Sequence, residues 1–480
     1  MRLQCLTFSA AMVLAAVACQ SPGNWDQTSD NSLARLVGEN RNPPTSLNGI
    51  WQSEGYGWIL HIEDDSVELL DVTSSACLDA RDTLEEYETY FHTYAIDPTN
   101  GRLALRGKFE DYTYYFTRLP ELPAQCAIEV ESTPQTNFDY FVDVMSAHYA
   151  FFEVRDIDWD RVADENRPFV SDAMTDDELW ALLKSMIEPI DDGHLSLGRR
   201  HDGGRQSFMP GRGKTQNSII PLAASLNTSP GQLFGKWFDE YKTSILSDLL
   251  EGEGKIIARD RVIYGMIDDK IGYLNILKMG GYAEGLGWSA EDFQTETDVL
   301  NDALDEALTH LASAEAIVVD ATYIGGGFDY LGREISARFA RQSTLGSHRS
   351  PAHTPSVPPQ PLYTSPTQKV SFEGPVIILS SNLTMSASES FIMHMKAMPH
   401  ITHMGEPTRG ALSEVLSKTL PNGWTVSISN EDYLDGALRS WEGLGIPPDI
   451  HQQVFVPDNI FDGHLDAVWA AANILRQAAR

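Results

Sequence analysis

The chain has 480 residues, a length that suggests two or more domains. Its 68 acidic and 35 basic residues give a formal net charge of −33, which argues against binding to nucleic acid or to an anionic lipid surface. Hydrophobic residues make up 42% of the chain, so it can bury sizeable cores and is not globally disordered.

The first element in chain order is a predicted signal peptide at residues 1–18, where Arg2 precedes an apolar run too short to span a membrane. The sequence Ala16-Val17-Ala18-Cys19 fits a signal-peptidase site and also resembles a bacterial lipobox, and both interpretations cut the same bond. Because a cysteine follows that bond directly, we predict lipidation of Cys19. We therefore expect the protein to be exported to the cell envelope, to face the periplasm and to contact the membrane through its lipid anchor only.

Residues 19–44 are polar and predict a tether, and residues 45–130 predict a small β domain. Short apolar runs alternate there with turn signals such as Asn100-Gly101. Cys77 and Cys126 are the only cysteines of the exported body, where conditions are oxidising, so we predict a disulfide between them. The alternative is two unpaired thiols.

Residues 131–200 predict a helical segment, because apolar residues recur on one face from Phe138 to Tyr149 and a capping-box pattern begins at Thr175. Residues 201–270 predict a basic loop and a connecting region. The stretch Gly198–Lys214 has five basic residues and one acidic residue. It either attracts carboxylates of a peptide or forms a flexible solvated loop.

Residues 271–480 predict an α/β domain with a largely parallel sheet, because buried strands alternate with helical patterns. The predicted strands are 271–276, 316–320, 376–379 and one near Ile401. Residues 351–366 contain six prolines and predict an extended loop.

Two loops follow the ends of buried strands, where sites in open α/β sheets usually lie: Asp320–Gly327 and Thr384–Glu389. Ser386 opens a helix, and the neighbouring glycines allow a second backbone to approach it closely. A serine between two sets of backbone N–H groups has the parts of a nucleophile with an oxyanion hole. The alternative is structural: Ser386 caps the helix and the glycines form a turn.

Five motifs occur in a fixed order, and together they resemble peptidase family S41, the C-terminal processing and tricorn-core proteases. They are Asp191-Asp192-Gly193-His194-Leu195-Ser196-Leu197, Gly325-Gly326-Gly327, Ser386-Ala387-Ser388-Glu389, Gly405-Glu406-Pro407-Thr408-Arg409-Gly410 and Glu442-Gly443-Leu444-Gly445-Ile446-Pro447-Pro448-Asp449. The resemblance covers about residues 135–455 and implies a ClpP/crotonase-like α/β catalytic domain. The expected fold class is therefore α/β, with a helical segment and a small N-terminal β domain.

The resemblance also implies the catalytic scheme. The processing branch uses a Ser–Lys dyad, but Ala411 stands where its lysine is expected. The tricorn-like branch implies Ser386 as nucleophile, His194 as base and Glu442 as acid. Backbone N–H groups of Ala387 and of Gly325 or Gly326 would then hold the oxyanion. Two departures concern neighbouring positions: Gly193 replaces the serine that often precedes the histidine, and Thr322 and Ile324 replace the Arg and Asn of the glycine loop.

We therefore expect a serine peptidase that cleaves peptides or proteins. No metal or cofactor motif occurs, so no metal and no cofactor are predicted, and twelve of the thirteen histidines stay unassigned. One alternative is a non-catalytic protein on the same fold that binds peptides or lipophilic ligands. A second alternative is a hydrolase of another ester or amide.

Overall fold

The computed structural model describes residues 34–35, 43–64, 66–80, 91–109, 111–287, 289–456 and 463–478. The predicted signal peptide and the predicted lipidation site at Cys19 lie outside these residues. Within them, no helix is both long enough and apolar enough to cross a membrane.

An antiparallel sheet of eight strands forms the N-terminal β domain. Its strands are β1 (Ala34–Arg35), β2 (Gly49–Ser53), β3 (Trp58–Glu63), β4 (Ser66–Val72), β5 (Cys77–Asp79), β6 (Thr93–Ile96), β7 (Leu103–Arg106) and β8 (Thr113–Leu119). The spatial order is β1-β6-β7-β8-β2-β3-β4-β5. Strand β1 lies in the segment for which a tether is predicted. A disulfide joins Cys77 to Cys126, with Cα atoms 4.8 Å apart.

Three helices follow and pack on this sheet: α1 (Pro134–His148), α2 (Trp159–Asn166) and α3 (Asp176–Ile187). Helix α3 begins at the predicted capping box, in which the side chains of Thr175 and Glu178 each accept from the other's backbone N–H. The apolar faces of the helices share one core with the β domain, to which Trp51, Phe138 and Leu183 belong. The prediction of a helical segment is thus confirmed.

The region 201–270 contains more regular structure than predicted. A hairpin of β9 (Ser196–His201) and β10 (Gly204–Phe208) replaces the first part of the basic loop, and helices α4 (Lys214–Ser225) and α5 (Pro230–Ser244) follow. Helix α5 begins with a capping box at Ser229, and Leu233, Trp237 and Tyr241 lie buried one turn apart. This helical signal was overlooked in the sequence.

A seven-stranded sheet with helices on both faces forms the α/β domain. Its strands are β11 (Lys255–Ile257), β12 (Val262–Met266), β13 (Ile271–Ile276), β14 (Ala316–Asp320), β17 (Val376–Ser380), β18 (Ile401–Gly405) and β22 (Ile450–His451), and its later helices are α6 (Ala290–His310), α7 (Asp329–Ala337), α8 (Ala387–Lys396) and α9 (His464–Ala478). Strands β13, β14, β17, β18 and β22 are parallel neighbours, so the prediction of a largely parallel sheet is confirmed, with β22 as a strand that was not predicted. Successive residues of β14 face two different cores, since Ile317 packs with α6 to α8 whereas Val318 packs with α5 and α9.

Helix α9 is anchored to the sheet by a buried carboxylate. His464 Nε2 lies 2.6 Å from Asp320 Oδ2, at the carboxyl end of β14. The Tyr273 hydroxyl donates to the same oxygen at 2.6 Å. Burial alone would raise the pKa of Asp320, but His464 and the hydroxyl donors hold it below its ordinary value.

Two smaller sheets flank the parallel one. One contains β15 (Thr344–Pro351), β16 (Gln360–Thr364) and β21 (Glu431–Asp435), and the other adds β19 (Val415–Thr419) and β20 (Thr425–Ser429) to the β9–β10 hairpin. Strand β16 lies in the proline-rich stretch predicted to be a loop. It is an outer strand, and an outer strand tolerates Pro361 because one of its edges needs no ladder hydrogen bond.

A buried ion pair and a buried hydrogen bond to a second ion pair join the β domain to the α/β domain. Arg349 on β15 pairs with Glu431 on β21, and the Tyr56 hydroxyl of the β domain donates to Glu431 at 2.6 Å. Lys418 on β19 pairs with Asp71 on β4. Both pairs are shielded from water, so they fix the β domain relative to the sheet ends where the candidate site lies.

Candidate active site

Ser386 lies on a sharp turn between β17 and α8, at the carboxyl edge of the parallel sheet. Its backbone has φ 63° and ψ −132°, a region that residues with a Cβ rarely adopt. The Ser386 N–H donates to the Ala411 carbonyl at 2.9 Å, and the Met385 N–H donates to the Ile324 carbonyl at 3.2 Å. The turn is thus held from both sides by the loops that follow β14 and β18.

The buried carboxylate of Glu389 ties this turn to the loop after β18. It accepts hydrogen bonds from the N–H groups of Ser386 (3.1 Å), Gly410 (2.7 Å) and Ala411 (2.8 Å) and from the Thr408 hydroxyl (2.5 Å). Burial raises the pKa of Glu389, and these donors oppose that rise. Glu389 lies in the motif that begins at Ser386, but the motif alone does not indicate this role.

The glycine loop approaches Ser386 so closely that only glycine fits. A Cβ on Gly326, which has φ +89°, would lie 2.7 Å from the Ser386 Cβ and 3.2 Å from its Oγ. Within the described part of the chain, the N–H groups of Gly325, Gly326 and Ala387 donate to no protein acceptor. These are the donors expected for an oxyanion hole, and they stand free beside the serine.

His194 lies in the turn before β9, and its ring is buried. The Asp192 carboxylate accepts from the His194 backbone N–H at 2.8 Å. Burial lowers the pKa of His194, the charge of Asp192 opposes this effect, and Arg409 and Arg155 reinforce it. The ring is therefore neutral near pH 7, the state that a general base requires. Its Nδ1 has no hydrogen-bond partner among the described residues.

Glu442 belongs to a buried charge cluster with Arg155 and Asp192. Its Oε1 accepts from Arg155 Nη2 at 2.8 Å, and its Oε2 accepts from the N–H groups of Leu412 (2.8 Å) and Ser413 (3.3 Å). Arg155 Nη2 also lies 3.8 Å from Asp192 Oδ2. Burial and the Asp192 charge raise the pKa of Glu442, whereas Arg155 and the Leu412 N–H lower it. The Arg155 guanidinium thus compensates the charge of two buried carboxylates, those of Glu442 and Asp192.

The structure brings the segments of His194 and Ser386 together but does not bond Glu442 to His194. A Cβ on Gly193 would lie 3.2 Å from both the Ala411 Cβ and the Met385 side chain, so the histidine turn packs directly on the serine turn. The carboxylate whose charge acts on His194 is that of Asp192. Sequence reasoning missed the role of Asp192, although the first motif contains it, and the role of Arg155, which lies in none of the five motifs.

One of the five basic residues in the stretch Gly198–Lys214 makes structural contacts. Arg199 is buried, where it donates to Asp177 at 2.6 Å and stacks over Trp180. Arg200, Arg205, Arg212 and Lys214 remain exposed. A buried arginine next to this stretch is Arg409, which donates to Asp191 at 2.7 Å.

Two parts of the chain match models of known protein families. Residues 270–452 match the model of peptidase family S41, and residues 131–188 match that of the tricorn protease C1 domain. A crystal structure of a candidate peptidase from Parabacteroides merdae ATCC 43184 is 25% identical, with a TM-score of 0.54, and the match covers 72% of this chain and 97% of that chain. The chain is therefore similar to peptidase family S41 over most of its α/β domain.

Two further solved structures are more distant. The photosystem II D1 C-terminal processing protease is 12% identical, with a TM-score of 0.40 over 70% of this chain and 97% of its own. The tricorn protease is 12% identical, with a TM-score of 0.42 over 87% of this chain and 44% of its own. No protein of curated function matches the chain in sequence.

Replacement of Arg155 by methionine should destabilise the fold. Glu442 and Asp192 then lose their shared cation and repel each other in a buried site, so the free energy of unfolding should fall by about 3–5 kcal/mol. Urea denaturation at neutral pH measures this loss. The deficit should shrink as the pH is lowered, because burial raises the pKa of Glu442 and its protonation removes the repulsion.

Arg161→Met is the matched control, because Arg161 pairs with Glu165 on the exposed surface of α2. The free energy of unfolding of this variant should fall by less than about 1 kcal/mol. Equal losses in the two variants would contradict the role given to Arg155.

Proposed function

We propose that the chain is a serine peptidase that uses Ser386 as nucleophile, His194 as general base and Glu442 as the acid of the triad. The observation that carries this proposal is the turn at Ser386, whose strained backbone is held in place beside unengaged N–H groups of two loops. Strained residues of this kind cluster at functional sites. The match of residues 270–452 to peptidase family S41 supports peptide bonds of peptides or proteins as the substrate.

In the proposed reaction, Ser386 Oγ attacks the carbonyl carbon of the scissile bond while the His194 ring accepts its proton. The N–H groups of Ala387 and of Gly325 or Gly326 stabilise the negative oxygen of the tetrahedral intermediate. The protonated ring then gives its proton to the leaving amine, and water releases the acyl group by the same route. Negative charge from Glu442 and Asp192 stabilises the imidazolium.

Three substitutions test the triad. Ser386→Ala and His194→Ala should each lower kcat/KM for peptide hydrolysis by at least about a thousandfold, and Glu442→Gln should cost less. Ser388→Ala is the matched control, because Ser388 lies two residues from Ser386 and its buried Oγ bonds to nothing among the described residues. A fluorophosphonate probe should label Ser386 covalently, as mapped by mass spectrometry.

Failure of Ser386 to react, together with binding of peptides without hydrolysis, would favour the non-catalytic alternative. Asp192→Asn tests the choice of acid, because Asp192 is the carboxylate whose charge acts on His194. A larger loss of kcat in Asp192→Asn than in Glu442→Gln would transfer the role of the acid to Asp192.

The pH profile should have an acid limb below the ordinary histidine value of about 6.5. The base acts only while the ring is neutral, and burial lowers the pKa of His194, so activity should persist to a lower pH than for an exposed histidine. The measurement is kcat/KM against pH with an uncharged peptide, with circular dichroism to exclude unfolding. An acid limb centred above about pH 7 would contradict a buried neutral base.

We also propose that the protein is anchored to the cell envelope through Cys19. The support is the apolar run that ends at Ala16-Val17-Ala18-Cys19. Mass spectrometry of the mature N-terminus should find an acylated Cys19, and Cys19→Ser should move the protein out of the membrane fraction. An unmodified Cys19 or an intact Met1 in the mature protein would contradict the anchor.

A further inference from the structure

A cleft of about 420 Å³ opens beside the candidate oxyanion loop. Its floor includes Met279 and Gly280 after β13, and Gly327 after β14. Gly327 directly follows Gly326, whose backbone packs against Ser386. The cleft is therefore lined by the residue that follows Gly326, which packs against the proposed nucleophile. Its volume is in the range of known ligand-binding sites.

One wall of the cleft is aromatic and includes a residue of the β domain. Phe293, Phe328 and Tyr330 come from the α/β domain, and Phe109 reaches over from the loop between β7 and β8. The Phe109 ring lies 5.3 Å from that of Tyr330 and 6.1 Å from that of Phe293, centre to centre. The neighbouring Lys108 ammonium donates to the Ala290 carbonyl at 3.3 Å and holds the loop in place. This wall suits a bulky apolar group.

The outer strand β19 supplies another part of the lining. Within the described residues it pairs only with β20, so its other edge presents unpaired backbone groups. Val415 and Ser417 line the cleft and are exposed, whereas Leu416 and Lys418 point into the protein. An extended peptide can add to such an edge as another strand, with alternate side chains entering a pocket.

We infer that this cleft binds the substrate as an extended strand paired with β19, with one bulky apolar side chain against the aromatic wall. Phe109 of the β domain is then a specificity-determining residue. The unpaired strand edge favours a peptide over a lipophilic ligand, because a lipid tail has no backbone groups to complete a ladder. The inference deepens the proposed function and rests on it for the identity of the site.

Peptide binding to the Ser386→Ala variant tests this inference without relying on catalysis. The probe is a fluorescent peptide of about eight residues, with one central phenylalanine among alanine and serine residues. Its Kd is measured by fluorescence anisotropy, and each backbone N–H is methylated in turn. Methylation at alternate positions should weaken binding about tenfold and at the intervening positions should have little effect, because only every second N–H of a strand faces its partner.

Variants in the same Ser386→Ala background locate the strand and the pocket. Ser417→Phe fills the cleft from β19 and should weaken binding about tenfold, while Ser66→Phe, at an exposed position of β4 far along the chain, should not. Phe109→Ala should reduce the preference for phenylalanine over alanine in the probe at least about fivefold.

Several outcomes would overturn the inference: no saturable binding, uniform effects of methylation, or unchanged affinity in Ser417→Phe. Fluorophosphonate labelling of Ser386 and peptide hydrolysis by the unaltered chain are read separately. Hydrolysis without the alternating pattern would refute the cleft assignment and leave the peptidase intact. The alternating pattern without labelling or hydrolysis would refute catalysis and leave the binding mode intact.

Discussion

The burial of one carboxylate, that of Glu389, constrains the whole candidate site. A buried carboxylate must be surrounded by donors, and here all of them come from the Ser386 turn and the loop after β18. The positive φ of Ser386 costs about 1–3 kcal/mol and persists only where the surroundings over-determine it. Glu389 supplies part of this constraint, because its carboxylate joins the Ser386 turn to the loop after β18.

The segment 410–413 connects the proposed nucleophile to the proposed acid. The N–H groups of Gly410 and Ala411 bind Glu389, and the Ala411 carbonyl accepts from Ser386. The next two N–H groups bind Glu442. The buried Ala411 side chain also contacts the histidine turn at Gly193, in the place where the processing branch is expected to have its lysine. The segment 410–413 thus contacts three parts of the candidate site: the Ser386 turn, Glu442 and the histidine turn.

Much of the fold could be predicted from the sequence because strong local patterns coincide with tertiary burial. The runs at Ile271 and Ala316 are apolar and short, and they form strands β13 and β14 between two cores. Helix α5 was missed, although its capping residue Ser229 and its apolar spacing are visible in the sequence. Strand β16 was missed because proline marks loops far more often than it marks outer strands.

The site was only partly predictable for a different reason. Motifs report positions that resemble a family, so they point to Ser386, His194 and Glu442 as single residues. The electrostatic environment of these residues depends on partners distant in the sequence. Arg155 lies 287 residues from Glu442 along the chain, and no sequence pattern near either residue predicts their contact. Long-range ion pairs of this kind carry no local signal.

The β domain contributes to the candidate site because it binds the inward-facing side of strand β19. Strand β19 alternates, with Leu416 and Lys418 turned inward and Val415 and Ser417 turned towards the cleft. The inward ammonium of Lys418 pairs with Asp71 of the β domain in a buried contact, whose loss would leave an uncompensated charge. The β domain therefore holds strand β19 in place through Lys418 and lines the cleft directly through Phe109. A domain that acts on two parts of the lining affects the shape of the cleft, so its docking and the choice of substrate side chain are physically coupled.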